Sequence, residues 1–198
     1  MARVHDESFV TLATNENYAI GALTLGYSLR KVNTNRMLTV MISKEVSEEL
    51  RRQLGQVYDK IEVVDLLNSN DVTNLSLLKR PDLGVTFTKL HCWRLTQFKK
   101  AVFLDADCLV LKNVDELFDR EEFSASTDVG WPDCFNSGVF VFKPSDGTYT
   151  SLVDFALQQG SFDGLFFKIL FILAISSFYL TKSFNFLRRG SGSIEFVF

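Results

Sequence analysis

Short apolar runs alternate along this sequence with segments of helical periodicity, and this alternation limits the fold more than any other feature. Runs rich in apolar and β-branched residues predict buried strands. These runs are residues 9–14, 38–42, 61–66 and 101–107, and a loop at the start of 135–142 leads into a further predicted strand. Strands that alternate with helices at this spacing form βαβ units. We therefore expect an α/β fold with a mainly parallel sheet.

Helices are predicted in the stretches between the strands. Asn15 is the predicted N-cap of the first helix and Ser47 that of the second. The predicted helices cover residues 16–30, 48–58, 86–98 and 148–159, with a short acidic helix or turn at 115–123.

Two carboxylates follow the strand that begins at residue 101. Asp105 and Asp107 stand at its C-terminal end, which faces the ligand crevice in an open α/β sheet. Such a pair suits a hard divalent cation that bridges phosphate oxygens. The alternative for an isolated D-x-D is an acidic turn that closes a strand.

The end of the first strand offers a second group of candidate residues. Leu12, Thr14, Asn15 and Tyr18 lie where this strand turns into its helix. An aromatic side chain there can cover a base, and a helix N-terminus favours phosphate. A simple helix cap is the alternative for Asn15.

Two further segments supply groups that a nucleotide sugar needs. Arg80 and Lys89 bracket one loop, where two cations would neutralise a diphosphate or would be ordinary surface charges. Asn136, Ser137 and Gly138 combine an amide, a hydroxyl and a position without a side chain, which suits sugar hydroxyls or an ordinary turn.

Composition narrows the classes of function. A net charge of −3 provides no basic field, so nucleic acid is not an expected partner. Cys92, Cys108 and Cys134 form an odd set without C-x-x-C spacing, which indicates neither a zinc site nor a disulfide framework. The N-terminus is polar and acidic, unlike a signal peptide. We expect a reducing, cytoplasmic compartment.

Several long motifs, in order along the chain, resemble the glycogenins of glycosyltransferase family 8. The motifs are residues 9–15, 79–84, 88–93, 103–107 and 130–140. The resemblance implies a GT-A nucleotide-sugar-binding fold, UDP-glucose as donor and Mn²⁺ as metal. It also implies glucose transfer to a tyrosine of the protein itself, which primes glycogen synthesis.

The same resemblance assigns roles by motif. It implies that the uridine side is held by Leu12, Thr14, Asn15 and Tyr18, and the diphosphate by Arg80 and Lys89. The implied contacts of the metal and nucleotide are Asp105, Ala106 and Asp107. The implied contacts of the glucosyl unit are Asn136, Ser137, Asp163 and Gly164. Asp105 and Asp107 are the implied metal ligands. The catalytic residues stay open, with Lys89 and Asp163 as the candidates.

The match to the family ends at Gly164. The family continues there with Gly-Asp-Gln-Gly, whereas this chain reads Leu165-Phe166-Phe167-Lys168. The Asp-Gln pair, the metal-ligating His, the acceptor tyrosine and the segment that binds glycogen synthase have no counterpart. We therefore expect a partial glycosyltransferase domain at 1–164, a divergent hydrophobic tail at 165–198, and no self-glucosylation by this chain alone.

The tail admits three readings. Its residue types fit translation into an intron or past a frameshift. A membrane tail is the second reading, although the apolar run at 169–180 is shorter than the ~20 residues that a bilayer requires. The third is a buried helix that completes the fold. The apolar content of the tail predicts self-association, so deleting residues 165–198 is expected to raise solubility.

Three functional hypotheses follow. The chain is a glycogenin-type glucosyltransferase, a non-catalytic nucleotide-sugar-binding domain, or a misfolded product without function. A homodimer, or a pair with an intact glycogenin, is the expected assembly.

Overall fold

The computed structural model describes residues 3–67, 87–127 and 135–159, together with two short strands at 185–187 and 196–197. The first part alternates strands and helices as predicted. Its elements are β1 (Glu7–Ala13), α1 (Glu16–Lys31), β2 (Met37–Ile42), α2 (Glu48–Val57) and β3 (Lys60–Val63).

The second part contains shorter strands and two 3₁₀ helices. Its elements are a 3₁₀ helix at Phe87–Arg94, β4 (Lys100–Leu104), β5 (Leu109–Val110), a 3₁₀ helix at Asp115–Asp119, β6 (Ser124–Thr127), β7 (Phe135–Phe142), α3 (Asp146–Gln159), β8 (Asn185–Leu187) and β9 (Phe196–Val197).

The main sheet has the order β3-β2-β1-β4-β7-β6-β8. Strands β3, β2, β1 and β4 are parallel neighbours, whereas β7 runs antiparallel to both β4 and β6. The carboxyl ends of β1 and β4 therefore meet at one edge of the sheet. Because β7 is antiparallel, its first residues lie at this same edge, so the topology gathers three of the candidate segments.

The two faces of the sheet bury different side chains because successive residues of a strand point to opposite sides. We call the side covered by α1 and α2 the helical face, and it buries Val102 and Leu104 of β4. We call the other side, covered by the first 3₁₀ helix and α3, the aromatic face. It buries Phe103 of β4 together with Trp93 and Phe140.

The sequence prediction differs from the structure in several places. The predicted strand at 101–107 ends at Leu104, β5 and β6 were not predicted, and the loop expected at the start of 135–142 is already part of β7.

Two more differences lie near each other in the structure. The predicted strand at 61–66 ends at Val63, and the predicted helix at 86–98 is a 3₁₀ helix at Phe87–Arg94. After β3, the Val64 N–H still donates to the Ile42 carbonyl at the end of β2, at 2.8 Å, and the chain beyond Val64 bonds to the 3₁₀ helix. The Leu67 N–H donates to Thr88 Oγ1 at 3.2 Å, and His91 Nε2 lies 2.9 Å from the Asp65 carbonyl oxygen.

Two short strands of the tail pair with the domain. β8 lies parallel to β6, and β9 lies antiparallel to β5. The run at 169–180 lies outside the described residues, and the gain in solubility expected on deleting residues 165–198 stays a prediction. Among the helices that are described, none is long and apolar enough to cross a membrane.

Candidate nucleotide-sugar site

The centre of the candidate site is the turn that follows β4. The Asp105 N–H donates to the Gly138 carbonyl of β7 at 2.8 Å, and the Cys108 N–H donates to the Asp105 carbonyl at 3.0 Å. The turn is therefore closed on itself and fastened to the neighbouring strand. It presents Asp107 to solvent, keeps Asp105 half-buried and buries Ala106.

Lys89 supplies the counter-charge to this turn. Its Nζ lies 2.6 Å from Asp105 Oδ1, and the two side chains are only 16% and 31% exposed. The same ammonium lies 5.2 Å from the centre of the Phe103 ring. Burial raises the pKa of Asp105, the Lys89 charge opposes that rise, and the Asp107 charge adds to it. Lys89 therefore favours the ionised form of Asp105, which is the form that binds a cation.

The end of β1 contributes both buried and exposed groups. Asn15 is the N-cap of α1, as predicted, because its Oδ1 accepts the Tyr18 N–H at 3.1 Å. The Tyr18 side chain is 50% exposed, whereas Leu12 and Thr14 are buried. The Thr14 carbonyl accepts a hydrogen bond from Ser43 Oγ at 2.7 Å. The Tyr18 ring and the Asn15 side chain are therefore the more accessible of these groups.

The start of β7 forms a local polar turn within the strand. Asn136 Oδ1 accepts the Gly138 N–H at 2.7 Å, and both Asn136 and Ser137 are half-buried. Gly138 thus has a role that sequence reasoning missed, since its carbonyl holds Asp105. Its lack of a side chain indicates only a fit to sugar hydroxyls or an ordinary turn, and the partner of its carbonyl depends on the antiparallel placement of β7.

The remaining predicted residues lie outside the described part of the chain. These are Arg80, Asp163 and Gly164. The structure does bring together Lys89, Asp105, Asp107 and the start of β7. The end of β1, with its own candidate residues, lies on the strand next to β4.

The donor set indicates what kind of cation this edge would accept. Within the described ranges, no cluster of three or more His, Cys, Asp or Glu side chains is arranged to hold a metal. Asp105 and Asp107 offer carboxylate oxygens, which are the hard ligands that Mg²⁺ and Mn²⁺ prefer. Such a pair fits a cation whose other positions are filled by phosphate oxygens and water, not a closed protein cage.

Sequence reasoning gave His91 no role, yet it anchors the 3₁₀ helix that carries Lys89. Besides its bond to the Asp65 carbonyl, its ring stacks on Tyr149 of α3 at 5.6 Å. Burial lowers the pKa of His91. Its place in the motif at 88–93 was the available signal, but its partners are distant in sequence.

Comparison with known proteins identifies the family. Residues 9–162 match the model for glycosyl transferase family 8, so the chain belongs to this family of glycosyltransferases.

Among curated proteins, the chain is similar to glycogenin-1 of Caenorhabditis elegans, with 61% identity over 158 residues, or 80% of this chain and 37% of that protein. Glycogenin-1 of Homo sapiens is 58% identical over 159 residues, or 80% of this chain and 45% of that protein. The chain thus spans less than half the length of these relatives.

Solved structures support the fold. The glycosyltransferase GlyE of Streptococcus pneumoniae superposes with a TM-score of 0.63 at 16% identity, over 94% of this chain and 46% of that chain. The WbbM bifunctional glycosyltransferase gives a TM-score of 0.64 at 16% identity, over 93% and 39% of the two chains. The predicted α/β GT-A fold is confirmed.

Proposed function

We propose that this chain is a glycogenin-type glucosyltransferase domain that binds UDP-glucose together with a divalent cation. The observation that carries the proposal is the turn after β4. The turn presents the carboxylates of Asp105 and Asp107, with Ala106 between them, and a backbone hydrogen bond holds it to β7. The 3₁₀ helix places the Lys89 ammonium 2.6 Å from Asp105. Two anions with one adjacent cation suit a metal–diphosphate group, in which the metal meets the carboxylates and the ammonium meets phosphate oxygens.

The chain's own side chains would then divide the donor between them. Asp105 and Asp107 hold Mn²⁺, and Lys89, with Arg80, faces the diphosphate. Tyr18 and Asn15 border the uridine, as do Leu12 and Thr14. The glucosyl unit would be contacted by Asn136, Ser137, Asp163 and Gly164. When bound, the cation supplies Lewis-acid stabilisation of the leaving UDP.

The acceptor and the compartment are part of the same proposal. The resemblance to the glycogenins suggests that the transferred glucose primes glycogen synthesis on a tyrosine, within a homodimer or a pair with an intact glycogenin. A cytoplasmic location fits the thiols, because Cys92 and Cys108 are both free and buried.

Calorimetry of UDP binding with and without Mn²⁺ tests the metal site. We expect binding that requires Mn²⁺ and is weakened by at least about 100-fold in Asp107→Ala. Asp119→Ala removes another exposed carboxylate and is the matched control, for which we expect wild-type affinity. Equally strong binding in EDTA would refute the metal role of the pair.

A specific sequence feature favours a second candidate, a domain that binds the donor without transferring glucose. Leu165-Phe166-Phe167-Lys168 stand where the family has Gly-Asp-Gln-Gly. We expect intact-mass spectrometry of the 198-residue chain with UDP-glucose and Mn²⁺ to reveal no hexose ladder. A ladder formed by this chain alone would exclude the second candidate.

A further inference from the structure

Gly21 lies in the first half of α1, where the helix passes the turn that carries Asp105 and Asp107. A Cβ atom on Gly21 would stand 2.6 Å from the Ala106 carbonyl oxygen and 3.3 Å from the Ala106 carbonyl carbon. Both atoms belong to the backbone, so no side-chain rotation can relieve the contact. A residue without a Cβ therefore permits α1 to lie this close to the turn.

The turn is held on its other side as well. The Asp105 N–H donates to the Gly138 carbonyl of β7, and the Cys108 N–H closes the turn on the Asp105 carbonyl. Ala106 is buried and packs in the same cluster as Ala19 and Ala22 of α1. The turn is thus enclosed between helix and strand, so pressure from α1 would displace the backbone that carries the two carboxylates.

We propose that Gly21 is a positioning residue of the nucleotide site. Its missing side chain sets where Asp105 and Asp107 stand relative to Lys89 and to the end of β1. The proposal rests on the proposed function for its binding readout, and on the packing of α1 against the turn for its structural readout. Small displacements of binding groups are costly, since about 1 Å can change a rate by about 100-fold.

Two other glycines provide matched controls. A Cβ on Gly26, also in α1, would stand 2.7 Å from Val57 Cγ1 and 2.8 Å from Tyr58 Cε2. The clash is as tight as at Gly21, but it falls on side chains beside α2 and away from the turn. A Cβ on Gly55 would meet only Ile61 Cδ1, at an ordinary 3.7 Å. Gly55→Ala should therefore stabilise the exposed side of α2 through helix propensity.

Gly21→Ala and Gly26→Ala are each introduced into the full chain that already carries Gly55→Ala. The gain in stability from Gly55→Ala offsets part of the stability that each clash removes. Calorimetry then measures UDP binding with Mn²⁺, well below each melting temperature. We expect Gly21→Ala to weaken binding about tenfold or more. Gly26→Ala should stay within about twofold of the Gly55→Ala parent, because its clash falls on the Val57 and Tyr58 side chains and not on the backbone of the turn.

A second measurement needs no ligand. Amide hydrogen exchange at Asp105 and Cys108 reports the two hydrogen bonds that hold the turn. We expect faster exchange at both amides in Gly21→Ala and parent-like exchange in Gly26→Ala. If the parent fails to bind UDP, the proposed function is refuted, and the exchange rates still decide the role of Gly21.

Two kinds of result would overturn the inference. One is that the two variants behave alike, either in amide exchange at Asp105 and Cys108 or in loss of UDP affinity. The other is a Gly21→Ala chain that fails to fold while Gly26→Ala folds. In that case the contact would support the fold as a whole and would not set the place of the turn.

Discussion

The two faces of the sheet are packed in different ways. On the helical face, α1 lies against the backbone of the turn at Gly21 and against the Val57 and Tyr58 side chains at Gly26, so neither position has room for a side chain. On the aromatic face, a 3₁₀ helix and α3 cover a stack of rings, with Trp93 lying 5.6 Å from Phe140 and Phe140 lying 5.0 Å from Phe103. Aliphatic side chains and one aromatic pair, Phe9 and Phe118, fill the rest of the first face, whereas a stack of several rings fills the second.

Each face also holds one half of the candidate site. α1 on the helical face contacts the turn that carries Asp105, whereas the 3₁₀ helix on the aromatic face carries Lys89. Their ion pair at the sheet edge therefore forms only when both faces are packed. The comparison teaches that damage to the helical face should reach the site only where it shifts α1 against the turn, whereas damage to the aromatic face should reach it through the 3₁₀ helix that carries Lys89.

The largest expected effect comes from removing the buried ring of the aromatic face. Trp93 is 1% exposed, so Trp93→Ala should cost about 3–5 kcal/mol of unfolding free energy. It should also lower UDP affinity in the folded fraction, since Trp93 shares a helix with Lys89. Urea unfolding followed by circular dichroism, with calorimetry below the transition, measures both.

The matched change on the helical face is Leu54→Ala. Leu54 is fully buried, and its loss should cost about 2–5 kcal/mol. Because α2 carries none of the candidate site residues, we expect UDP affinity to stay near wild type. An equal loss of affinity in both variants would remove the distinction between the faces.

An intermediate effect is expected from Lys89→Met, which removes the cation and keeps the apolar stem. Half-buried Asp105 would lose its partner, so unfolding free energy should fall by about 1–2 kcal/mol. The pKa of Asp105 should rise further, since Lys89 is what lowers it. UDP titration and urea unfolding at neutral pH test this.

Lys44→Met is the control for that change. Lys44 and Asp65 also form a short ion pair, at 2.7 Å, but their side chains are 75% and 79% exposed. Exposed pairs contribute little, so we expect no measurable change in the free energy of unfolding and no effect on UDP binding. Similar losses for the two lysines would show that burial does not distinguish these pairs.

The smallest expected effect is a pH dependence confined to the aromatic face. Burial lowers the pKa of His91, so the unfolded chain binds the proton more readily than the folded one. This residue's contribution to stability is therefore complete above the ordinary pKa of ~6.5 and is lost as pH falls from there through the folded-state value.

His91→Gln keeps a donor for the Asp65 carbonyl and removes the titration. We expect the urea midpoint of the wild type to fall more steeply than that of the variant as pH is lowered below about 6.5. Leu54→Ala should retain the wild-type slope. Parallel slopes in wild type and His91→Gln would contradict the assignment.

Local signals predicted much of the fold. The four parallel strands, α1 with its Asn15 cap, and α2 follow from apolar runs and capping residues that lie next to each other in sequence. Ser47 is the N-cap residue of α2, although its side chain makes no capping hydrogen bond. The position of Asp105 and Asp107 just after β4 also follows from the sequence.

Contacts between residues that are distant in sequence determine the features of the structure that the hydrophobic pattern did not predict. The 3₁₀ helix buries Leu90, His91, Cys92 and Trp93 in succession, so no single helical face is apolar and periodicity could not define it. The Lys89–Asp105 pair depends on that helix, and the Gly138–Asp105 bond depends on β7 being antiparallel. The family resemblance, not the spacing, assigned most of the donor-binding roles.

Two buried thiols among the described residues allow the unfolding of the two faces to be measured directly. Cys92 belongs to the aromatic face and Cys108 to the helical face, directly after the turn. Burial raises the pKa of both thiols, to about 12 for Cys108, so the reactive thiolate is scarce in the folded chain. Alkylation, mapped by peptide mass, should therefore proceed only as each layer separates. Equal labelling rates would mean one cooperative opening, and unequal rates would time the opening of the two faces separately.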